Sequence, residues 1–258
     1  MGVWDAYNAR LSAHGKNRRE VTLNRERDYL ARKLPDSLSY HTVLMNGQEQ
    51  NLAVINSDNL DQKTLCSMPG EKIVGGSLVE WADNHWLVTA VDANQEVYAR
   101  ATMVQCNHKL RWVADDGNII ERWCIVSDGT KYLTGETVSS YNDNGMSLGD
   151  TRISVVLARD KYSVRLGRDQ RFLIDDDGSE TVLAYRLTKP FKVGGVYDGH
   201  GVMSFVMTEV NTETDDNLDL RIADYYKYFP RKDAAEDDPP VQEIEPGGTT
   251  EDGKKVWL

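Results

Sequence analysis

Five histidines, three cysteines and 41 acidic side chains are the groups in this 258-residue chain that could do chemistry, and their spacing decides which chemistry is open to them. His14, His41, His85, His108 and His200 stand singly, with no HxxxH pair. Cys106-Asn107-His108 is the one loose His/Cys grouping, and by itself it is no metal-ligand set. Asp175-Asp176-Asp177-Gly178 resembles the start of a calcium loop, but its glycine falls at the fourth place rather than the sixth and no glutamate closes it. Cys66, Cys106 and Cys124 are odd in number, lie in or beside apolar runs and lack CxxC spacing, which points to buried free thiols in a cytosolic product. Gly-rich phosphate loops, a Walker sequence and a GxSxG nucleophile elbow are absent, and Gly194-Gly195 and Gly199-His200-Gly201 read as turn residues around Tyr197. Spacing alone does not select two of the acids as a hydrolytic pair, so a hydrolase stays open without anything to recommend it. The expectation is a protein with no cofactor, no metal and no turnover.

The elements that would carry any site are strands. Residues 73–107 organise the chain: Leu78 to Trp81 and Trp86 to Val91 are apolar runs split by Asp83-Asn84, and Val97 to Cys106 is a third run after Asp92-Ala93-Asn94. About a hundred residues on, Phe172-Leu173-Ile174, Val182 to Leu187, Val196-Tyr197 and Val202 to Met207 follow the same order, with Val97-Tyr98 and Met103-Val104 matching Val196-Tyr197 and Val202-Met203. Either an internal duplication or two unrelated hairpins built from common strand residues explains this. Before it, Tyr40 to Met45, the type I′ dipeptide Asn46-Gly47 and Asn51 to Ile55 spell a hairpin; after it, Leu110 to Val113 and Ile119 to Val126 spell another, with Trp112 and Trp123 as an aromatic pair. Leu220 to Tyr226 reads as a last short strand or helix.

The ends differ from this body. Trp4, Tyr7 and Leu11 fall at i, i+3 and i+7 on one side of a short amphipathic helix ended by His14-Gly15. Arg18 to Leu34 is a second helix with Leu23, Leu30 and Leu34 on one face, closed by Pro35. Both stripes are candidate protein interfaces. Residues 234–253 are rich in Pro, Glu and Asp with almost nothing to bury. The expected fold is therefore mainly β: one or two small antiparallel barrel-like modules preceded by an N-terminal α-hairpin. The expected domains are a helical arm (1–34), a first β-module (35–108), a second (109–230) and a flexible acidic tail (231–258). No apolar stretch approaches a membrane span, and Met1-Gly2-Val3-Trp4 turns polar at once with Tyr7 where a myristoylation motif wants Ser or Thr, so a soluble chain without a standard secretion signal or lipid is the expectation.

Charge is unevenly spread. Arg10 to Lys33 holds eight basic and three acidic residues, +5, and Arg231 to Leu258 holds four and eight, −4, leaving −12 of the total −11 on the rest. An acidic body argues against wrapping nucleic acid, and the basic segment reads as a helix face paired with an acidic neighbour.

Gly76 to Cys106, with its Trp-Leu-Val-Thr strand and Tyr-containing strand, followed by Cys106-Asn107-His108-Lys109-Leu110-Arg111-Trp112 and Asp116-Gly117-Asn118-Ile119-Ile120-Glu121-Arg122, resembles virion structural proteins of tailed bacteriophages, most nearly the head-closure or stopper group at the head-to-tail junction. The resemblance covers roughly residues 37–225 and rests on strand pattern and a few phrases; the N-terminal helices and the acidic tail depart from it. It implies a ring of identical subunits, assembled in the host cytoplasm and located in the virion between portal or adaptor and tail proteins, through which DNA passes without specific binding. A monomeric β-module adaptor binding one protein partner is the alternative.

Overall fold

The computed structural model describes residues 2, 4, 7, 15–92, 95–128, 152–175 and 182–230. It is mainly β, with an N-terminal helix ahead of two antiparallel barrel-like sheets.

Helix α1, Arg18–Lys33, starts where the Asn17 side chain accepts from the Glu20 N–H, one of the orphan donors of the first turn, and the Glu20 carboxylate reaches back to accept from the Lys16 N–H just ahead of the cap. It ends in a 3-10 turn, Leu34–Asp36, containing Pro35. The first barrel follows: β1 Tyr40–Met45, β2 Gln48–Asn56, β3 Gln62–Ser67, β4 Leu78–Trp81, β5 Asn84–Asp92 and β6 Arg100–Gln105, closed in the order β1-β2-β3-β6-β5-β4. Asn46 and Gly47 take φ of 52° and 78°, which the type I′ hairpin between β1 and β2 demands. The turn between β4 and β5 is Ala82-Asp83, both with positive φ, one residue earlier than Asp83-Asn84; Asn84 already pairs with Trp81.

The second sheet contains β7 His108–Val113, β8 Ile119–Asp128, β9 Arg152–Ala158, β10 Arg171–Asp175, β11 Val182–Phe191, β12 Val196–Tyr197 and β13 His200–Val210, in the order β10-β11-β13-β9-β8-β7, with β12 on β13. Pro190, which has no N–H to donate, lies in β11 beyond the residues that pair with β10. With β12 set aside, this is the first barrel's plan repeated: two three-stranded meanders joined through their third strands. Val88 pairs with Met103 in one barrel and Leu187 with Met207 in the other, all four buried. Met103 thus corresponds to Met207, five residues beyond the Val202 suggested by the sequence phrases, because β13 starts early to pair with β12. The plans differ at the seam. In the first barrel Met45 pairs with Val79 and the ladder closes. The corresponding residues of the second are Trp112 and Phe172, whose rings meet edge-to-face at 6.2 Å, so side chains rather than backbone fill that seam.

Trp112 and Trp123 do not form an aromatic pair. Eleven residues and one hairpin apart, they lie on opposite faces of the sheet: Trp112 is in the second core, whereas Trp123 faces the first barrel. The chain beyond β13 folds back on this sheet through the Asn217–Ile222 bridge and α2, Tyr225–Tyr228, which gives residues 220–226 both strand-like and helical character.

Candidate functional site

Two features stand apart from the packed cores: the arm and the space between the barrels. The arm projects. Trp4 and Tyr7 are helical, 75% and 53% exposed, and their rings meet edge-to-face at 6.0 Å. Leu11, on the same expected stripe, lies outside the described residues. Leu23, Leu30 and Leu34 are half-buried, and α1 buries none of its residues completely. An isolated helix of 16 residues is marginal in water, so α1 depends on what holds it. Part of that hold is ionic: Arg19 bonds the Glu96 carboxylate at 2.6 Å and Arg27 donates to the Glu96 carbonyl at 2.6 Å, which ties the basic face to the loop ahead of β6.

The barrels meet as one body. Leu87, Cys106 and Val202 form a small buried cluster with Leu78, Trp123, Ile125, Val156 and Ala158. The His85 ring stacks on Trp123 with centroids 4.1 Å apart, and Lys109 lies over the same indole at 4.8 Å. Asn107, between the barrels, uses its side chain as a strand substitute, donating to the Val126 carbonyl at 2.7 Å and accepting from the Val126 N–H at 2.8 Å. At Gly76 the backbones come so close that a Cβ would lie 2.1 Å from the Gly201 oxygen. Beside these contacts runs an open groove of about 1410 Å³. Its wall on the second sheet is a checkered face of Ile125, Val156, Ser204 and Phe191 in one row and Ser127, Ser154, Val206 and Lys189 in the next.

Within the second sheet lies an electrostatic cluster. Arg171, at the start of β10, is buried and makes a two-pronged contact with Asp216, 2.9 and 2.8 Å, while also reaching Asp224 at 3.1 Å and the Asn211 carbonyl at 2.9 Å. Burial alone would raise the Asp216 pKa, but the N–H groups of Glu213 and Asp224 and the guanidinium outweigh it and hold the carboxyl below its ordinary value. A carboxylate so pinned serves as a lock between β10 and the C-terminal segment. The thiols are inert in the opposite sense: burial raises Cys66 and Cys124 and pushes Cys106 up to about 12. All three cysteines are free and buried. Among the described residues no group of three or more His, Cys, Asp or Glu is placed to hold a metal ion, and Asp176, Asp177 and Gly178 lie outside them. No helix among the described residues is long and apolar enough to cross a membrane.

The groove and the Arg171 lock were not marked by sequence spacing, since both gather residues from strands far apart in the chain. Comparison with family models, curated proteins and solved structures finds no match.

Proposed function

We propose that this chain is a structural subunit of a tailed-phage virion at the head-to-tail junction, a connector or head-closure protein that assembles as a ring, touches portal or adaptor and tail proteins, and performs no chemistry. The observation that carries the reading is the pairing of a two-barrel body with an N-terminal segment whose Trp4 and Tyr7 are 75% and 53% exposed. A ring needs a different patch on each side of every subunit, and an arm that leaves its own body supplies one side. Interfaces favour large aromatic anchors of this kind. The acidic body suits a DNA passage, since like charge keeps a polyanion from adhering. The resemblance of residues 37–225 to stopper proteins supplies the virion setting.

A connector is expected to be a monomer alone and a ring on its neighbour, so the test is size in solution with and without the portal of the same phage, together with antibody labelling of intact particles in the electron microscope. Label at the neck and a ring on the portal are expected. A monomer with the portal present and label elsewhere would leave the adaptor reading, one copy on one protein partner.

A further inference from the structure

The first barrel is closed by its own backbone, with Met45 paired to Val79, whereas β7 and β10 share no ladder. Inside that seam the rings of Trp112 and Phe172 meet. Their chain neighbours Arg111 and Arg171 point the other way, to the outer face, since side chains alternate along a strand. Both arginines hold the same piece of chain. Arg171 of β10 takes Asp216, Asp224 and the Asn211 carbonyl, with Glu213 at 3.3 Å, and Arg111 of β7 donates to the Leu220 carbonyl at 3.3 Å. Residues 211–229 therefore bridge the seam from outside, joining two strands that do not bond each other.

The segment has a shape of its own. Asn217 and Ile222 exchange backbone bonds at 2.9 and 3.1 Å, Tyr226 donates to the Asp215 carbonyl at 2.9 Å, and the Asp216 carboxylate also accepts from the Glu213 and Asp224 N–H groups. To the small apolar cluster where it meets β10 and β11 it contributes Ala223 alone, against Leu173 and Ala184, so little burial holds it there. Every acceptor of the Arg171 guanidinium among the described residues belongs to this segment, and the buried Nε–H has none. Departure of the segment as a unit returns both sides of the ion pair to water, which costs far less than deleting one partner in place.

We infer that residues 211–229 are a detachable strap: gripped by Arg171 and Arg111, they keep the second barrel shut, and their release opens it between β7 and β10 while the ladders of β8, β9, β11 and β13 stay paired. The second barrel then has two positions, shut and open, separated by side-chain contacts at one seam rather than by a ladder. The first barrel, closed by backbone bonds, has no such device. A ring subunit and a monomeric adaptor would carry the strap alike.

Hydroxyl-radical footprinting of the full-length chain at neutral pH tests this, with hydrogen exchange of the ladder amides beside it. Trp112 and Phe172 report the seam, Leu173 the surface under the strap, and Trp86 the first barrel; all four are buried in the shut form. Arg111→Met removes the grip from β7 and keeps the aliphatic stem, and Asp216→Asn removes the charge opposite Arg171. Each should raise oxidation of Leu173, Trp112 and Phe172 together, by about tenfold, with Trp86 and the exchange of β8, β9 and β13 as in the parent. Glu121→Gln, which takes away the other partner of Arg111 and spares the Leu220 tie, should change none of them. A rise at Leu173 without one at Trp112 and Phe172 would mean that the seam stays shut without the strap. Loss of exchange protection across the second sheet would mean that the segment does not separate from it. Either result overturns the inference, as do variants indistinguishable from the parent or a Glu121→Gln chain as reactive as Arg111→Met. Should Asp216→Asn fail to fold, which a rise at Trp86 reveals, Arg111→Met decides alone.

Discussion

Thr89 and Thr188 occupy the same bulge in two barrels. Each interrupts the register of its strand, between Val88 and Ala90 in β5 and between Leu187 and Lys189 in β11, and each donates its hydroxyl to a carbonyl of the facing strand, Thr102 at 3.4 Å and Val206 at 3.0 Å. A bulge leaves one residue unpaired and sharpens the local twist. A threonine there replaces the missing ladder bond with its own side chain, which explains why the same residue type serves both modules.

Replacing either threonine with valine keeps shape and removes the hydroxyl. Thr89→Val and Thr188→Val should each lower unfolding free energy by about 0.5–1.5 kcal/mol, with Thr188, the more exposed, at the lower end. Urea unfolding checks this. A loss above about 3 kcal/mol at either would mean that the hydroxyl holds more than one strand pair.

The union of the barrels is tested at Gly76. A methyl group there must displace the Gly201 backbone, so Gly76→Ala should open the contact between barrels while leaving each barrel's strands paired. Limited proteolysis reads it: cleavage near Cys106-Asn107, slow in the parent, should become fast, and circular dichroism should change little. Protection as strong as in the parent would show that the His85–Trp123 stack and the Leu87 cluster suffice.

Much of this fold was legible because strand signals are local. Apolar runs and turn dipeptides placed β1 and β4 at their ends and β5 within two residues, while β2 begins at Gln48, three residues before the expected Asn51, and the repeated order of runs foreshadowed a topology that the pairings carry strand by strand. What stayed hidden depends on side chains from distant strands. Nothing in residues 108–126 reveals that Trp112 faces a core and Trp123 a neighbouring barrel, since alternation assigns faces without saying what lies beyond each. Arg171 and Asp216 are 45 residues apart and meet only after β10, β11 and β13 are laid side by side.

That pair sets the acid response. The folded pKa of Asp216 is depressed, so the stability it contributes is fully present above its ordinary carboxylate value near 3.8 and is lost as pH falls below that value through the folded pKa. The C-terminal segment should therefore release from β10 below about pH 4, ahead of the first barrel. Near-UV circular dichroism of Tyr225 and Tyr226, which pack edge-to-face, reports it. Asp216→Asn should bring the release to neutral pH and cost about 3–5 kcal/mol, because the Arg171 charge stays buried without its counter-ion. A variant as stable as the parent at pH 7 would mean that Asp224 and Glu213 neutralise the guanidinium alone.

DNA affords the last test. Arg10 to Lys33 carries +5, but in α1 Arg19 and Arg27 are already engaged by Glu96. The rest of the chain outside the two ends carries nearly all the −12 and acts at long range when salt is low, because the Debye length is about 30 Å at 10 mM. Lowering salt then strengthens repulsion by the body together with attraction by the arm, and the larger charge prevails. Gel shifts at 10 mM and 150 mM salt should show poor duplex binding at both, and deleting residues 1–34 should change affinity little while abolishing ring formation on the portal. Tight binding at 10 mM with a steep loss at 150 mM would instead mark counterion release by several phosphate contacts, identify a nucleic-acid-binding protein and overturn the connector reading.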